Sequence, residues 1–99
     1  MIRHVVMFTL HASDSLDVVR AALQRLATIP HVLALEVSEN LKSDLIGNEI
    51  DLVVHAVFKD RAALDAYHNH PIYREAIDAV RPLRDQRVAA DFMTEIKDL

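Results

Sequence analysis

Hydrophobic residues recur along this chain with two different periods, and the switches between them mark its elements. Ile2 to Leu10 alternates and is rich in β-branched and aromatic residues, which predicts a first strand. Leu16, Val19, Leu23 and Leu26 then recur at helical spacing, with Asp17, Arg20 and Gln24 on the other side. Asp14 stands where an N-cap is expected. Pro30 limits the helix at its far end, because the residue before a proline disfavours helical torsions. Val32 to Ser38 returns to strand character, and Glu39 to Ile50, which holds the chain's one glycine, Gly47, reads as a long loop. Asp51 to Phe58 predicts a third strand. Asp60 caps a helix running to about His68, and Pro71 suits the first turn of a new helix reaching Val80. Pro82 stops that helix, and Gln86 to Ile96 forms the last strand.

Strand, helix, two strands, helix, strand is the order of the ferredoxin-like split βαβ fold, an α+β architecture. Right-handed crossovers put both helical segments on one face of a four-stranded antiparallel sheet. If His4, Val6 and Phe8 turn toward the helices, the other face receives Val5 and Met7 from the first strand. Val53, His55 and Val57 join from the third, and Val88, Ala90 and Phe92 from the fourth. Monomers seldom expose contiguous apolar areas beyond a few hundred Å². The expected solution is a two-fold homodimer whose two bare faces close into one α/β barrel. Glu36 shares the parity of His55 and is expected to pair with it on that face.

The length of 99 residues predicts a single domain over 1–99. The chain has no cysteine, which excludes disulfides, thiolate nucleophiles and thiolate metal sites. A net charge of −4 argues against nucleic acid as a partner. Met1-Ile2-Arg3-His4 passes straight into a strand pattern without the regions of a signal peptide. No apolar run approaches the ~20 residues of a membrane span, so the expected location is cytoplasmic.

Candidate chemistry concentrates in Asp65-Ala66-Tyr67-His68-Asn69-His70-Pro71-Ile72-Tyr73. Polar-tipped rings need partners when buried, so these lie at the surface or line a binding pocket. Tyr67, His70 and Tyr73 are spaced by three and fit a pocket mouth, although for His70 alone a helix cap is the slightly better reading. His68, His11 and His31 are expected at the surface. His4 lies among apolar neighbours and shares its face with Val6 and Phe8, with Val54 completing the pocket wall. It reads either as a general base or as a buried histidine satisfied by a neighbour. Asp91 is its natural partner, since a carboxylate beside the imidazole would fix its tautomer. Lys42, Arg74, Arg81, Arg84 and Arg87 are scattered among acids and read as a solvated face. Arg87 alone shares parity with Asp91 and could turn toward the pocket. His68-Asn69-His70 lacks the i, i+4 register of helical metal ligands, and there is no glycine-rich phosphate loop, so neither metal nor cofactor is expected.

Ile2-Arg3-His4-Val5-Val6-Met7-Phe8 resembles the opening strand of the stress-responsive dimeric α/β-barrel (Dabb) family. Phe58-Lys59-Asp60, Leu64-Asp65-Ala66-Tyr67, His70-Pro71, Arg81-Pro82-Leu83 and Asp91-Phe92 match its later segments in order and spacing. The resemblance implies a homodimeric ferredoxin-like barrel with a pocket in each subunit between sheet and helices. One branch of that family cyclises polyketide chains without a cofactor. Its first-strand histidine corresponds to His4, its helix tyrosine to Tyr67, its His-Pro histidine to His70 and its supporting aspartate to Asp91. Its second catalytic histidine falls at Tyr73. A phenol with an ordinary pKa of ~10 is a poor base near neutrality, so cyclisation by that route is not expected.

Three readings follow. The first is a homodimeric barrel binding a small, mainly apolar molecule with one polar end held by His4, Tyr67, Tyr73 and Asp91. The second is a cofactor-independent lyase, cyclase or isomerase with His4 as base and Tyr73 and Asp91 in support. The third is a structural or stress-associated dimer without ligand.

Overall fold

The computed structural model of the chain describes residues 1–96. Four strands, β1 (Ile2–Leu10), β2 (Val32–Glu39), β3 (Leu52–Phe58) and β4 (Arg84–Met93), form one antiparallel sheet in the order β2-β3-β1-β4. The helices are α1 (Leu16–Gln24), between β1 and β2, and α2 (Arg61–His68) with α3 (Pro71–Val80), between β3 and β4. This is the ferredoxin-like α+β arrangement, with its second helical segment broken in two at Pro71.

The period-two alternation of β1 and β3 places the core. Ile2, His4, Val6 and Phe8 on β1, and Leu52, Val54, Ala56 and Phe58 on β3, are all buried beneath the helices. Val19 and Leu23 of α1, Leu64 of α2 and Val80 of α3 close the layer from above. Fully burying each large side chain contributes about 1.5–3 kcal/mol. His4 is the one polar member of this buried set among the described residues.

The other face carries Arg3, Val5 and Met7 on β1. They stand opposite Val57, His55 and Val53 on β3, and opposite Phe92, Ala90 and Val88 on β4. No helix covers it, and Val88 and Phe92 remain 55% and 47% exposed. Glu36 lies opposite His55, as the parity predicted, with Oε1 3.4 Å from Nδ1. Arg3 lies 2.8 Å from Nε2 of the same ring. A guanidinium only donates, so Nε2 accepts and the Nδ1 proton faces Glu36.

Element ends depart from the sequence expectation where local turns satisfy the backbone. Asp14 is not an N-cap. It sits in a 3-10 turn over Ser13–Ser15, where the Ser15 N–H reaches the Ala12 carbonyl, and α1 starts at Leu16 without a side-chain cap. The α-helix ends at Gln24 and tightens into a 3-10 turn over Arg25–Thr28. Pro30 then sets a reversal in which His31 takes a left-handed φ of 79° and the Val32 N–H faces the Ile29 carbonyl. Asp60 caps α2 as expected, accepting from the Ala63 N–H at 2.9 Å.

The last strand runs over Arg84–Met93 instead of Gln86–Ile96, and it carries an irregularity. Phe8 pairs with Arg87 but Leu10 pairs with Arg84, so β4 spends one more residue than β1 over this interval. That is a bulge, and the Gln86 N–H it frees is taken by Thr9 Oγ1 at 2.9 Å.

Asp51 joins the start of β3 to the end of β1. Its carboxylate accepts from the Leu10 N–H at 2.8 Å and from Lys42 Nζ at 2.9 Å. Burial alone would raise its pKa, but these two partners outweigh it and hold the carboxyl below its ordinary value. The native state therefore favours the charged form, and this stabilisation is present above the unfolded-state pKa and lost as pH falls through the lower folded value. Asp51→Asn should flatten the loss of stability on acidification below about pH 4, read as urea midpoints of both proteins across that range.

Candidate functional site

The site grows from the buried imidazole of His4. An unpaired polar group in an apolar core costs about 1–3 kcal/mol, and β4 supplies the partner. His4 and Asp91 stand directly opposite in the β1–β4 ladder, and His4 Nδ1 hydrogen-bonds Asp91 Oδ1. The imidazole is buried while the Asp91 side chain is 44% exposed at the sheet edge. With Nδ1 donating to a carboxylate, Nε2 carries the ring's free lone pair. No described residue hydrogen-bonds Nε2.

Aromatic rings from α2 and α3 roof the imidazole. Tyr67 is buried, with its ring 6.0 Å from His4, 4.9 Å from Phe58 and 5.2 Å from Tyr73. His68 lies edge-on to His4 at 5.3 Å and to Tyr73 at 5.0 Å. The surface position expected of His68 is thus replaced by a half-buried one, because α2 directs it over the β1–β4 edge. Burial pushes the Tyr67 phenol far up, with Tyr73 adding to the shift, so it acts only as a neutral hydroxyl.

A narrow inner cavity of about 10 Å³ lies under these rings, enough for a single water. His4, Val6, Phe8, Val54, Tyr67 and Tyr73 line it, which brings six of the sequence-predicted residues to one place. Asp91 touches it through His4. His70 stands apart. It is the N-cap of α3, its Nδ1 accepting from the Ile72 N–H at 3.1 Å while Pro71 takes the first helical position. That ring is committed to the backbone, and it does not line the cavity.

Outside the inner cavity opens a groove of about 290 Å³, lined by Arg74, Arg81, Arg84, Arg87, His68 and Tyr73 among others. Sequence reasoning placed these arginines on a solvated face, Arg87 excepted. One signal was available: Arg74 and Arg81 are seven apart and share one side of a helix. Arg84 and Arg87 gave none, because residues three apart in a regular strand face opposite ways. The bulge in β4 shifts that parity. Among the described residues, Arg87 forms no ion pair with Asp91, which His4 already holds. No group of three or more metal-ligating side chains occurs among them, and no helix is long and apolar enough to cross a membrane.

Residues 2–94 match the family described as the stress responsive A/B barrel domain, Dabb. The chain belongs to this family. Among solved structures it is similar to a dimeric ferredoxin-like protein from Thermobifida fusca YX. The two are 28% identical, with a TM-score of 0.81 over 94% of this chain and 90% of that one. A Dabb family protein from Mesorhizobium loti MAFF303099 is also 28% identical, with a TM-score of 0.77 over 94% and 95% of the two chains. An Arabidopsis thaliana protein, At3g17210, superposes with a TM-score of 0.83 over the whole of both chains. At 14% identity it shares the fold alone. No protein of curated function matches the sequence significantly.

The Dabb fold thus gives His68 a setting that disfavours its charge. Burial comes first, and the neighbouring His4 on β1 and Arg87 on β4 act in the same direction, against Asp91 on β4 and Asp65 on its own helix. Its folded pKa lies below the unfolded ~6.5, so the unfolded chain takes up the proton first. Stability from this source is complete above that value and falls as pH drops below it. Thermal midpoints should decrease between about pH 7.5 and 5.5, and His68→Gln should reduce that decrease.

Proposed function

We propose that this Dabb protein acts as a homodimer in which each subunit offers His4 as a proton acceptor to a small molecule admitted past Tyr73. The observation that carries the chemistry is the buried His4–Asp91 hydrogen bond beneath a set of uncommitted hydroxyls. Asp91 holds the Nδ1 proton and leaves Nε2 as the basic nitrogen, the arrangement a general base requires. Tyr67 and Tyr73 have no hydrogen-bond partners among the described residues, so both hydroxyls are available as donors. A carbon acid beside a carbonyl fits such a site. His4 takes the proton from carbon, the electron pair moves to the carbonyl oxygen, and Tyr73 donates a hydrogen bond to the enolate.

The homodimer is supported by the uncovered sheet face with Val5, Met7, Val53, Val57, Val88 and Phe92. The similar protein from Thermobifida fusca is itself described as dimeric. A second copy satisfies the face by symmetry, since each apolar patch meets its own complement. A dimer without ligand is the competing reading, favoured by the narrowness of the inner cavity, which admits a ligand only if Tyr73 swings aside.

Three outcomes are expected. Sedimentation should show a dimer at micromolar concentration, and Val53→Asp should convert it to monomer by forcing an unpaired charge into the interface. A folded wild-type monomer at that concentration would remove the dimer. In deuterated buffer, the wild type should accelerate exchange at the central carbon of pentane-2,4-dione, and His4→Ala should abolish the acceleration. No acceleration by wild type would leave the ligand-free dimer as the better reading. Linear polyketide thioesters should not be cyclised unless Tyr73→His restores a second imidazole.

A further inference from the structure

The arginine groove reverses the charge of the protein around it. The chain carries a net charge of −4, yet four guanidinium groups converge on one concavity whose described lining contains no aspartate or glutamate. Arg74 and Arg81 descend from one side of α3, with Ile77 between them. Arg84 and Arg87 rise from β4, where the bulge turns both toward the helix. The acids nearest in sequence do not neutralise them. Glu75 is held at 2.8 Å by Arg25, and neither Asp78 nor Asp85 lines the groove. Among the described residues, none of the four arginines lies within 4.0 Å of a carboxylate oxygen, whereas Arg20, Arg25 and Arg61 all do.

Like charges gathered in one concavity repel one another and disfavour the fold unless something of opposite sign is meant to sit among them. The groove also adjoins the inner cavity, with Tyr73 between them. Tyr73, Ile77 and Arg87 line both spaces, so a molecule reaching His4 from this side passes between the arginines. Guanidinium forks match the oxygens of carboxylate and phosphate in two-point hydrogen bonds, which a neutral head group cannot exploit.

We propose that this groove binds the oxyanion head, carboxylate or phosphate, of the ligand whose apolar end approaches His4. The inference deepens the proposed function and rests on it for the apolar end only. The arginines select an amphipathic anion. His68 and Tyr73 separate the charged head from the proton-transfer site.

The test titrates the intact wild-type protein with hexanoate, hexyl phosphate and hexanol, and with acetate and inorganic phosphate as heads without tails. Binding is followed by calorimetry and by NMR of the histidine rings. At least one hexyl anion should bind about tenfold or more tighter than hexanol, and the ratio should shrink as salt is raised. The tighter of the two anions identifies the head as carboxylate or phosphate. Arg74→Gln with Arg81→Gln, both at exposed positions, should erase most of that advantage and leave hexanol binding unchanged. Lys59→Gln, which removes one charge outside the groove, should leave the advantage intact. Anions that bind no tighter than hexanol, or a double variant indistinguishable from Lys59→Gln, would overturn the proposal. Hexanol shifting the His4 signal without any anion preference would overturn the arginine site while sparing the His4 cavity. Head-only anions binding in an Arg74- and Arg81-dependent way, with His4 unmoved by every tailed probe, would sustain the arginine site and sink the cavity.

Discussion

The register between β1 and β4 governs this molecule more than any other contact. Side chains of a strand alternate, so a slip of one residue would carry every member of β1 to the other face. In the observed register His4 meets Asp91 and Phe8 meets Arg87 on the helix side. Val5 meets Ala90 and Met7 meets Val88 on the bare side. One alignment therefore provides a partner for the buried imidazole, completes the core and assembles an apolar sheet face. A two-residue shift would keep the faces but set Ala89 or Met93 opposite the buried His4 in place of the carboxylate.

The bulge that ends this ladder extends its reach. By adding a residue to β4 near Thr9, it brings Arg84 and Arg87 to the same side. The break between α2 and α3 does the matching work from above. Pro71 and the His70 cap turn the chain so that Tyr67, His68 and Tyr73 converge over His4, although they belong to two helices. Two local irregularities, one in a strand and one between helices, thus shape the groove beside the buried pair.

The two faces of the sheet divide the roles. The helix face buries its apolar side chains within the subunit, together with the imidazole that Asp91 holds. The opposite face holds Arg3, His55 and Glu36 in a hydrogen-bonded row beside exposed apolar residues. The row links the three side chains through both nitrogens of His55, while Arg3 Nε stays without a partner among the described residues. A subunit built this way separates the uncovered face from the His4–Asp91 pair by the thickness of one sheet.

Strand alternation, helical spacing and proline positions determined, from the sequence alone, the element order, the ferredoxin-like fold and the membership of both sheet faces. They made Asp91 the expected partner of His4, and the β1–β4 register sets the two opposite each other. Periodicity is a local property, and where the chain obeys it the sequence is legible. The tertiary structure alone decided what periodicity does not encode. His68 left the surface because α2 lies over a sheet edge that no pattern within the helix reveals. Of the two readings open to His70, pocket mouth or helix cap, the fold realised the cap, its Nδ1 accepting from the Ile72 N–H. The four arginines line one groove because a single extra residue in β4 reverses a parity. Such convergence depends on where separate elements end in space, and that is set by packing rather than by the residues of any one element.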